Sequence, residues 1–328
     1  MTARALLITG ATGKQGSAVI NALLKANSDF EIIALTRNAQ SPSAQRLLQK
    51  SPKIKLITGN LDGLDEVFRK AHEAAKMPIW GVFSVQVSRF SSPFSWSLTL
   101  TSYLKVAMGD GQNVQSEERQ GKALIDAALS NKVSHFVYTS VDRGGDAKSG
   151  TNPTYVPHFK SKHNIEQHLF NKTKDSDMTW TVLRPAAFLD NLTPDFFGKH
   201  FATAWQMTLG KSKKLQMVAT SDIGWFAAEA FVKSEAKEYR NKTLSLAGDE
   251  LTFDEFKRIF ETTTGRTLPT TFKFVSMFVN WMVKELGTMY RWFSEEGYGS
   301  DVASVRAAKP DLKDLKTWLQ TESSWATR

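Results

Sequence analysis

The chain has 328 residues, 41% hydrophobic and 23% charged, with a formal net charge of +9 and no cysteine. The length admits one large α/β domain or a domain with a smaller lobe. Without cysteine, disulfides, thiolate metal sites and cysteine nucleophiles are excluded, and no metal is expected. No apolar run approaches the roughly 20 residues that span a bilayer, and no basic-then-apolar leader opens the chain. Lysines and arginines are scattered, densest only at Lys211-Ser212-Lys213-Lys214. A cytoplasmic protein that binds neither membrane nor nucleic acid directly is the expectation.

Residues 5–9 form a strand-like run that breaks at once into Gly10-Ala11-Thr12-Gly13-Lys14-Gln15-Gly16, followed by a helical pattern over 14–25. Strand, glycine turn and helix start in this order hold a dinucleotide pyrophosphate. The first glycine permits the tight turn, the middle one lets backbone approach phosphate, and the last permits close helix–strand packing. Unpaired N–H groups of the helix start then face the anion. The spacing is GxxGxxG, a variant of short-chain dehydrogenases, and not GxGxxG.

The second strand, 31–36, leads into Arg37-Asn38. NAD enzymes place Asp or Glu here for the ribose 2′-OH. An arginine instead offers a planar cationic fork suited to a 2′-phosphate, and Lys14 can add charge in the same region. The plainer alternative is that Arg37 is a solvated residue after a strand. NADP(H) is the cofactor this pattern favours.

A helix at 43–49 precedes the third strand, 54–58, which closes at Asn60-Leu61-Asp62. Asp62 can accept from an adenine amino group, or cap the helix predicted at 64–75. The fourth strand, 79–85, closes at Ser84-Val85-Gln86, beside the expected path of pyrophosphate and nicotinamide ribose. Then comes an aromatic stretch, 87–113, with Phe90, Phe94, Trp96, Leu98, Leu100, Tyr103 and Leu104. Long loops are often lids or binding elements, and aromatic side chains suit a flat, apolar ligand. Phe90, Phe94, Trp96 and Tyr103 are candidate substrate contacts. Packing on a small lobe or a partner subunit is the alternative.

Helices at 115–130 and 158–170 and strands at 135–140 and 179–183 follow. Short-chain dehydrogenases use Ser and then Tyr-x-x-x-Lys, in which tyrosine protonates the substrate oxygen and lysine lowers its pKa and binds ribose. The i, i+4 spacing sets both on one helix face. Here Ser140 ends its strand and Tyr155 is the next tyrosine, but Phe159 stands four residues on. His158 stands four before Lys162. The proton-donating tyrosine is missing from its slot, which leaves Ser140, Tyr155 and Lys162 as catalytic candidates with His158 as the available proton donor. A local hydrogen bond at the helix start is the other reading of His158.

Near-continuous apolar strands alternating with helices predict a parallel sheet covered on both faces. The right-handed crossover makes it an α/β Rossmann-type doubly wound sheet with the glycine loop at its C-terminal edge. After Arg184-Pro185 the rhythm changes: strands at 215–218 and 243–247 mix with helices at 223–233, 254–261 and 274–286. This predicts a binding domain over 1–185 and a smaller, mostly helical lobe over 186–328, packed as one compact unit. Helical spacing of Phe274, Phe278, Trp281 and Met282 predicts core packing for most of the aromatic run 272–293.

The ordered motifs resemble those of the NmrA-like group of atypical short-chain dehydrogenase relatives, and of fungal members in particular. They are the GATGKQG loop, Thr36-Arg37-Asn38, Gly59-Asn60-Leu61-Asp62, Val82-Phe83-Ser84-Val85-Gln86 and Glu117-Glu118-Arg119-Gln120-Gly121-Lys122. His135-Phe136-Val137-Tyr138-Thr139-Ser140-Val141, Val156-Pro157-His158-Phe159-Lys160-Ser161-Lys162, Leu183-Arg184-Pro185 and Phe188-Leu189-Asp190-Asn191 follow. The resemblance covers nearly the whole chain apart from the insertion at 87–113. It implies NADP(H) binding, Lys162 near the nicotinamide ribose, and Pro185, Phe188 and Asn191 along the nicotinamide side.

Similar proteins divide into reductases of quinones or aromatic natural products and redox sensors that act as transcriptional co-regulators. The sequence therefore supports an NADP(H)-dependent oxidoreductase of a bulky aromatic small molecule, with reduction, imine or ring-closure chemistry in natural-product tailoring. The alternative is a sensor without turnover, with a regulatory protein partner and a nuclear location open to it. A monomer or homodimer suits either.

Overall fold

The structure, a computed structural model, describes residues 4–86 and 114–326. The main sheet has seven strands in the order β3-β2-β1-β4-β5-β6-β9. These are β1 (Arg4–Ile8), β2 (Phe30–Thr36), β3 (Ile54–Thr58), β4 (Ile79–Ser84), β5 (His135–Thr139), β6 (Thr179–Pro185) and β9 (Lys242–Leu246). Every pairing is parallel. The strand order reverses between β1 and β4, so a crevice opens there outside the strand C-termini.

Parallel strands need crossover helices, and these bury both sheet faces. On one face α1 (Lys14–Lys25) and α8 (Thr220–Val232) bring Val19, Ile20, Leu23, Ile223, Phe226 and Phe231 onto Leu6, Ile8 and Phe83. The two helices nearly touch: a Cβ at Gly224 would lie 2.4 Å from the Ala18 carbonyl carbon. On the other face lie α3 (Leu64–Ala74), α4 (Val114–Ser130) and α6 (Pro157–Lys172), which bury Val67, Phe68, Leu124, Ile125, Ile165 and Leu169. The short helices α2 (Pro42–Leu48) and α5 (Gly145–Ser149) complete this part.

A second sheet, β10-β8-β7, consists of β7 (Ala187–Phe188), β8 (Leu215–Val218) and β10 (Asp249–Leu251). Helices α7 (Phe196–Leu209), α9 (Phe253–Thr264), α10 (Lys273–Met282), α11 (Lys284–Glu295), α12 (Val302–Ala308) and α13 (Leu315–Thr321) accompany it. Their core is aromatic, with Phe201, Trp205, Phe256, Phe260, Trp292, Phe293, Trp318 and Trp325 buried together. A buried ionic cluster sits beneath the sheet edge. Glu166 on α6 takes Arg143 at 2.7 Å and Arg184 of β6 at 2.8 Å, all three essentially unexposed.

Three placements differ from the sequence reading. The strand expected at 243–247 in the smaller lobe is β9, the seventh strand of the main sheet, hydrogen-bonded along β6. The helix expected at 223–233 is α8, which covers the main sheet against α1. The single helix expected at 274–286 breaks at Val283 (φ −101°, ψ 81°) into α10 and α11. Its aromatics divide accordingly. Tyr290, Trp292 and Phe293 of α11 are core, whereas Phe274, Phe278 and Trp281 of α10 are exposed. The helical period is real, but among the helix's residues only Ser276 and Val279 are buried, so the aromatic stripe lies on the other side.

Candidate functional site

The glycine loop joins β1 to α1 at the point where the strand order reverses. Thr9 Oγ1 locks the two central strands there, donating to the Phe83 carbonyl and accepting from Val85 N–H, each at 3.0 Å. Gly10 is left-handed (φ +57°), and a Cβ on it would lie 2.6 Å from Val85 Cγ1. A Cβ at Gly16 would lie 2.3 Å from Gly10 O, and one at Gly13 3.2 Å from the same atom. The loop is therefore folded on itself closely enough to exclude side chains at Gly10 and Gly16. No side chain caps the start of α1 at Gly13, so its first-turn N–H groups are available to an anion.

Arg37 follows the last residue of β2 and is exposed. Its guanidinium makes no ion pair or hydrogen bond with any described residue. Lys14 behaves differently from the expectation that it would add charge beside Arg37. Its Nζ donates to Asp190 O at 2.7 Å, in the turn Leu189–Asn191. The Asp190 carboxylate in turn accepts from Thr220 N–H at 2.9 Å and Thr220 Oγ1 at 2.7 Å. This bond ties the glycine loop to the segment holding the half-buried Phe188 and Asn191, beyond the buried Pro185. Thr12 is half-buried in the loop, and Gln15 Oε1 accepts from Thr139 Oγ1 at 2.7 Å.

At the end of β3, Asn60 Oδ1 accepts from Asp62 N–H at 2.9 Å, beside the half-buried Leu61. Asp62 does not cap the following helix, whose N-cap is Gly63. Both its oxygens are engaged by the start of α4, accepting from Arg119 Nη2 at 2.8 Å and Gln120 Nε2 at 3.0 Å. Those two contacts hold its carboxyl below the usual carboxylate range. An adenine amino group would have to share an acceptor already in use.

The second cluster forms where β4, α4 and α6 converge. The two helices pack closely because α4 has Gly121 opposite Ile165, where a Cβ would lie 2.5 Å from Ile165 Cδ1. About one turn earlier on each helix, Glu117 and Lys162 meet, with Nζ 2.8 Å from Oε1. Lys162 Nζ also donates to Gln86 O at 3.3 Å. Gln86 Nε2 donates to Ser84 Oγ at 2.9 Å, while buried Gln86 Oε1 has no hydrogen-bond partner among the described residues. Lys162, Gln86 and Ser84 are thus brought together.

The other catalytic candidates stand apart from this cluster or in a different state. His158 is buried, its ring 4.6 Å from that of Phe159. Burial first, and then the Lys162 cation, push its imidazole down to about 3. That shift favours the neutral ring, so any proton His158 gives would come from a neutral imidazole N–H. Tyr155 is 40% exposed, donates to Glu295 Oε2 at 2.5 Å, and lies under the Arg291 guanidinium. It has no contact with Lys162. Ser140 is buried and its Oγ accepts from Arg143 Nη1 at 3.2 Å, within the Arg143–Glu166–Arg184 cluster. Phe90, Phe94, Trp96 and Tyr103 lie outside the described residues.

Two acidic residues at this cluster were not assigned roles from sequence. Glu117 is buried on a helix stripe with Gln120, Gly121 and Leu124. A carboxylate at i of an i, i+3, i+4, i+7 buried stripe was the signal. Glu285, in the first turn of α11, feels the Glu117 charge; burial, and then Glu117, raise its carboxyl above the usual range.

A seven-stranded parallel sheet with an all-backbone glycine cradle at its switch point defines a doubly wound Rossmann-type protein. The chain belongs to the NmrA-like family, whose profile matches residues 2–319. It is 27% identical over 278 residues to the NmrA-like family domain-containing oxidoreductase hkm9 of Aspergillus hancockii, covering 81% of this chain and 74% of that protein. Two solved structures share the fold across almost their full lengths. One is a Citrobacter sp. triphenylmethane reductase complexed with NADP(H) (TM-score 0.66, 20% identity, 96% of this chain and 99% of that one). The other is NmrA, a negative transcriptional regulator, in complex with NADP (TM-score 0.65, 15% identity, 98% and 96%). NmrA has also been solved with NAD.

Proposed function

We propose that this chain binds NADP(H) and is an oxidoreductase that reduces a bulky aromatic or heteroaromatic small molecule. The observation that carries the cofactor reading is Arg37, a guanidinium with no described partner at the end of β2, where an NAD enzyme has a carboxylate. The residues fit a phosphorylated dinucleotide in two further ways. A Cβ at Gly10 or Gly16 would meet its surroundings at 2.6 or 2.3 Å, which keeps the cradle as bare backbone. Gln86 Oε1 is a buried acceptor lacking a described donor, and a buried polar group of that kind calls for a partner. NADP-bound relatives of the same fold, and an oxidoreductase relative, support the same reading.

Bound, a reduced nicotinamide supplies hydride. The chain's own part is binding and proton management. The first-turn N–H groups of α1 would receive pyrophosphate, and Arg37 would pair with the 2′-phosphate. Lys162 holds protons at Nζ, oriented by Glu117 and by Gln86 O, where it can donate to a ribose hydroxyl. A substrate in the crevice would be natural-product-like, and imine reduction or ring closure is within reach of the same groups.

The second reading, a sensor that binds NADP(H) without turnover, is favoured by one observation. The hydroxyl of Tyr155 is engaged by Glu295 and its ring by Arg291, so the tyrosine nearest in sequence does not serve Lys162. The test is to follow nicotinamide absorbance with NADPH and a panel of quinones, aromatic aldehydes and cyclic imines. Oxidation that disappears in Lys162→Ala, in a variant whose thermal melt shows it still folded, supports the enzyme. Tight NADPH binding with no oxidation across the panel supports the sensor.

A further inference from the structure

Nine large apolar side chains are exposed among the described residues, and five of them lie within one ten-residue stretch. These are Phe272, Phe274, Met277, Phe278 and Trp281, exposed by 72, 70, 60, 51 and 73%. They occupy the outer side of α10, whose inner side is pinned by Val279 and by Ser276, hydrogen-bonded to His200 at 3.0 Å. The rings pair along the face, Phe272 with Phe274 at 5.6 Å and Phe278 with Trp281 at 5.9 Å. Aromatic side chains of this size make a face on the order of 500 Å². A patch of that size is at the upper end for a monomer and is often functional.

Lysines flank the face. Helix α10 carries no acidic residue. Lys273 precedes Phe274 and Lys284 follows Trp281 by less than a turn, both exposed. Exposed Lys199 shares an open depression of about 620 Å³ with Phe272. None of the three lysines forms an ion pair with a described residue. Asp195, in the same depression, is occupied in capping α7, accepting from Phe197 N–H at 2.9 Å and from Thr193 Oγ1 at 2.6 Å. Glu285, next to Lys284, is half-buried, and its carboxyl is raised above the usual range.

We propose that the outer face of α10 docks on an anionic lipid surface, its aromatic side chains entering the headgroup boundary and Lys199, Lys273 and Lys284 meeting lipid phosphates. An amphipathic helix with Trp and Phe on one side and lysines flanking it binds in this way. The net charge of +9 acts in the same direction. A second copy of the chain fits less well. A two-fold interface would set this patch on itself, and Lys273 and Lys284 would meet lysines with no carboxylate of α10 to pair with. The segment 87–113 carries Arg89, Lys105 and a single acid, Asp110, so its net charge is positive as well. The proposal stands apart from the cofactor reading, because neither Arg37 nor Lys162 takes part.

The test is co-sedimentation of the full chain with phosphatidylcholine vesicles, with and without phosphatidylserine. Binding should require phosphatidylserine and weaken with salt. Phe278→Ser with Trp281→Ser should reduce the partition constant by about tenfold or more. Lys273→Gln and Lys284→Gln should each cost about fivefold. All four side chains are exposed, so unchanged thermal melts should accompany the losses. No sedimentation with either vesicle overturns the proposal, as does binding that the double serine variant retains. Two further outcomes also overturn it. One is a dimer in sedimentation velocity that the double variant converts to monomer, which would mean that a second copy covers the face. The other is binding that arises only after residues 89–108 are shortened, which would mean that this segment does.

Discussion

The Lys162 ammonium lies 2.8 Å from the Glu117 carboxylate, with those side chains only 14% and 1% exposed. The pair exists because Gly121 lets α4 approach α6 at Ile165. Breaking a buried pair from one side leaves an uncompensated charge, which costs about 3–5 kcal/mol. Lys162→Met should therefore destabilise the fold by about 3 kcal/mol, and adding Glu117→Gln should recover at least half of that loss. Urea unfolding of the two single variants and the double checks this. Additive losses would mean that the two groups do not act as a pair.

The glycine cradle predicts a sharp steric effect. Gly16→Ala would place a methyl 2.3 Å from Gly10 O, against backbone that cannot swing aside. Affinity for NADPH should fall by at least about tenfold, as followed by quenching of protein fluorescence. Gly150→Ala, at a position with nothing within 4 Å of its Cβ, should leave it unchanged.

Glu166 is a structural ion in this account. Burial raises its carboxyl, but Arg143 and Arg184 outweigh that and hold it below the usual range. Glu166→Gln should destabilise by about 3–5 kcal/mol while leaving NADPH affinity within about twofold once folding is restored at low temperature. Chemical denaturation beside a binding titration separates the two effects. Loss of affinity without loss of stability would assign Glu166, and with it Ser140, to the functional site.

Three imidazoles make stability depend on mild acid. Burial, chiefly, pushes His135 and His158 down to about 3 and His200 to about 4. Below the ordinary imidazole value of 6.5 the unfolded chain binds protons that the folded chain refuses. Stability should therefore fall as pH drops from 6.5 towards 4 and be level above about 7. Glu166, lowered in the fold, adds its own loss only below the ordinary carboxylate value of 4.5. Thermal melts across this range check the slope, and a midpoint constant from pH 7 to 5 would contradict it.

The alternation of strands and helices was legible because each buried strand is a short apolar run followed by a helical stripe, and 54–58 and 14–25 coincide with β3 and α1. The assignment of 243–247 failed for a topological reason. Nothing local in Lys242–Leu246 says that the chain returns to the main sheet beside β6. Phe274, Phe278 and Trp281 failed for another. Their period announces a helix face, but whether a face is covered depends on its neighbours. The candidate cofactor positions come from strand ends, whereas Glu117 was hidden inside a helix stripe. The states of His158, Ser140 and Tyr155 depend on burial, on the nearby Arg143 and, for Tyr155, on Glu295 far along the chain.

The central claim is that Arg37 makes this an NADP(H) protein. Isothermal titration of the purified chain with NADPH and with NADH, for the native sequence and for Arg37→Ala, tests it most directly. The native chain should bind NADPH at least about tenfold more tightly than NADH. Arg37→Ala should remove most of that difference by weakening NADPH alone, since the guanidinium–phosphate pair is the distinguishing contact. Equal affinity for the two cofactors, or a preference that survives Arg37→Ala, would contradict the account.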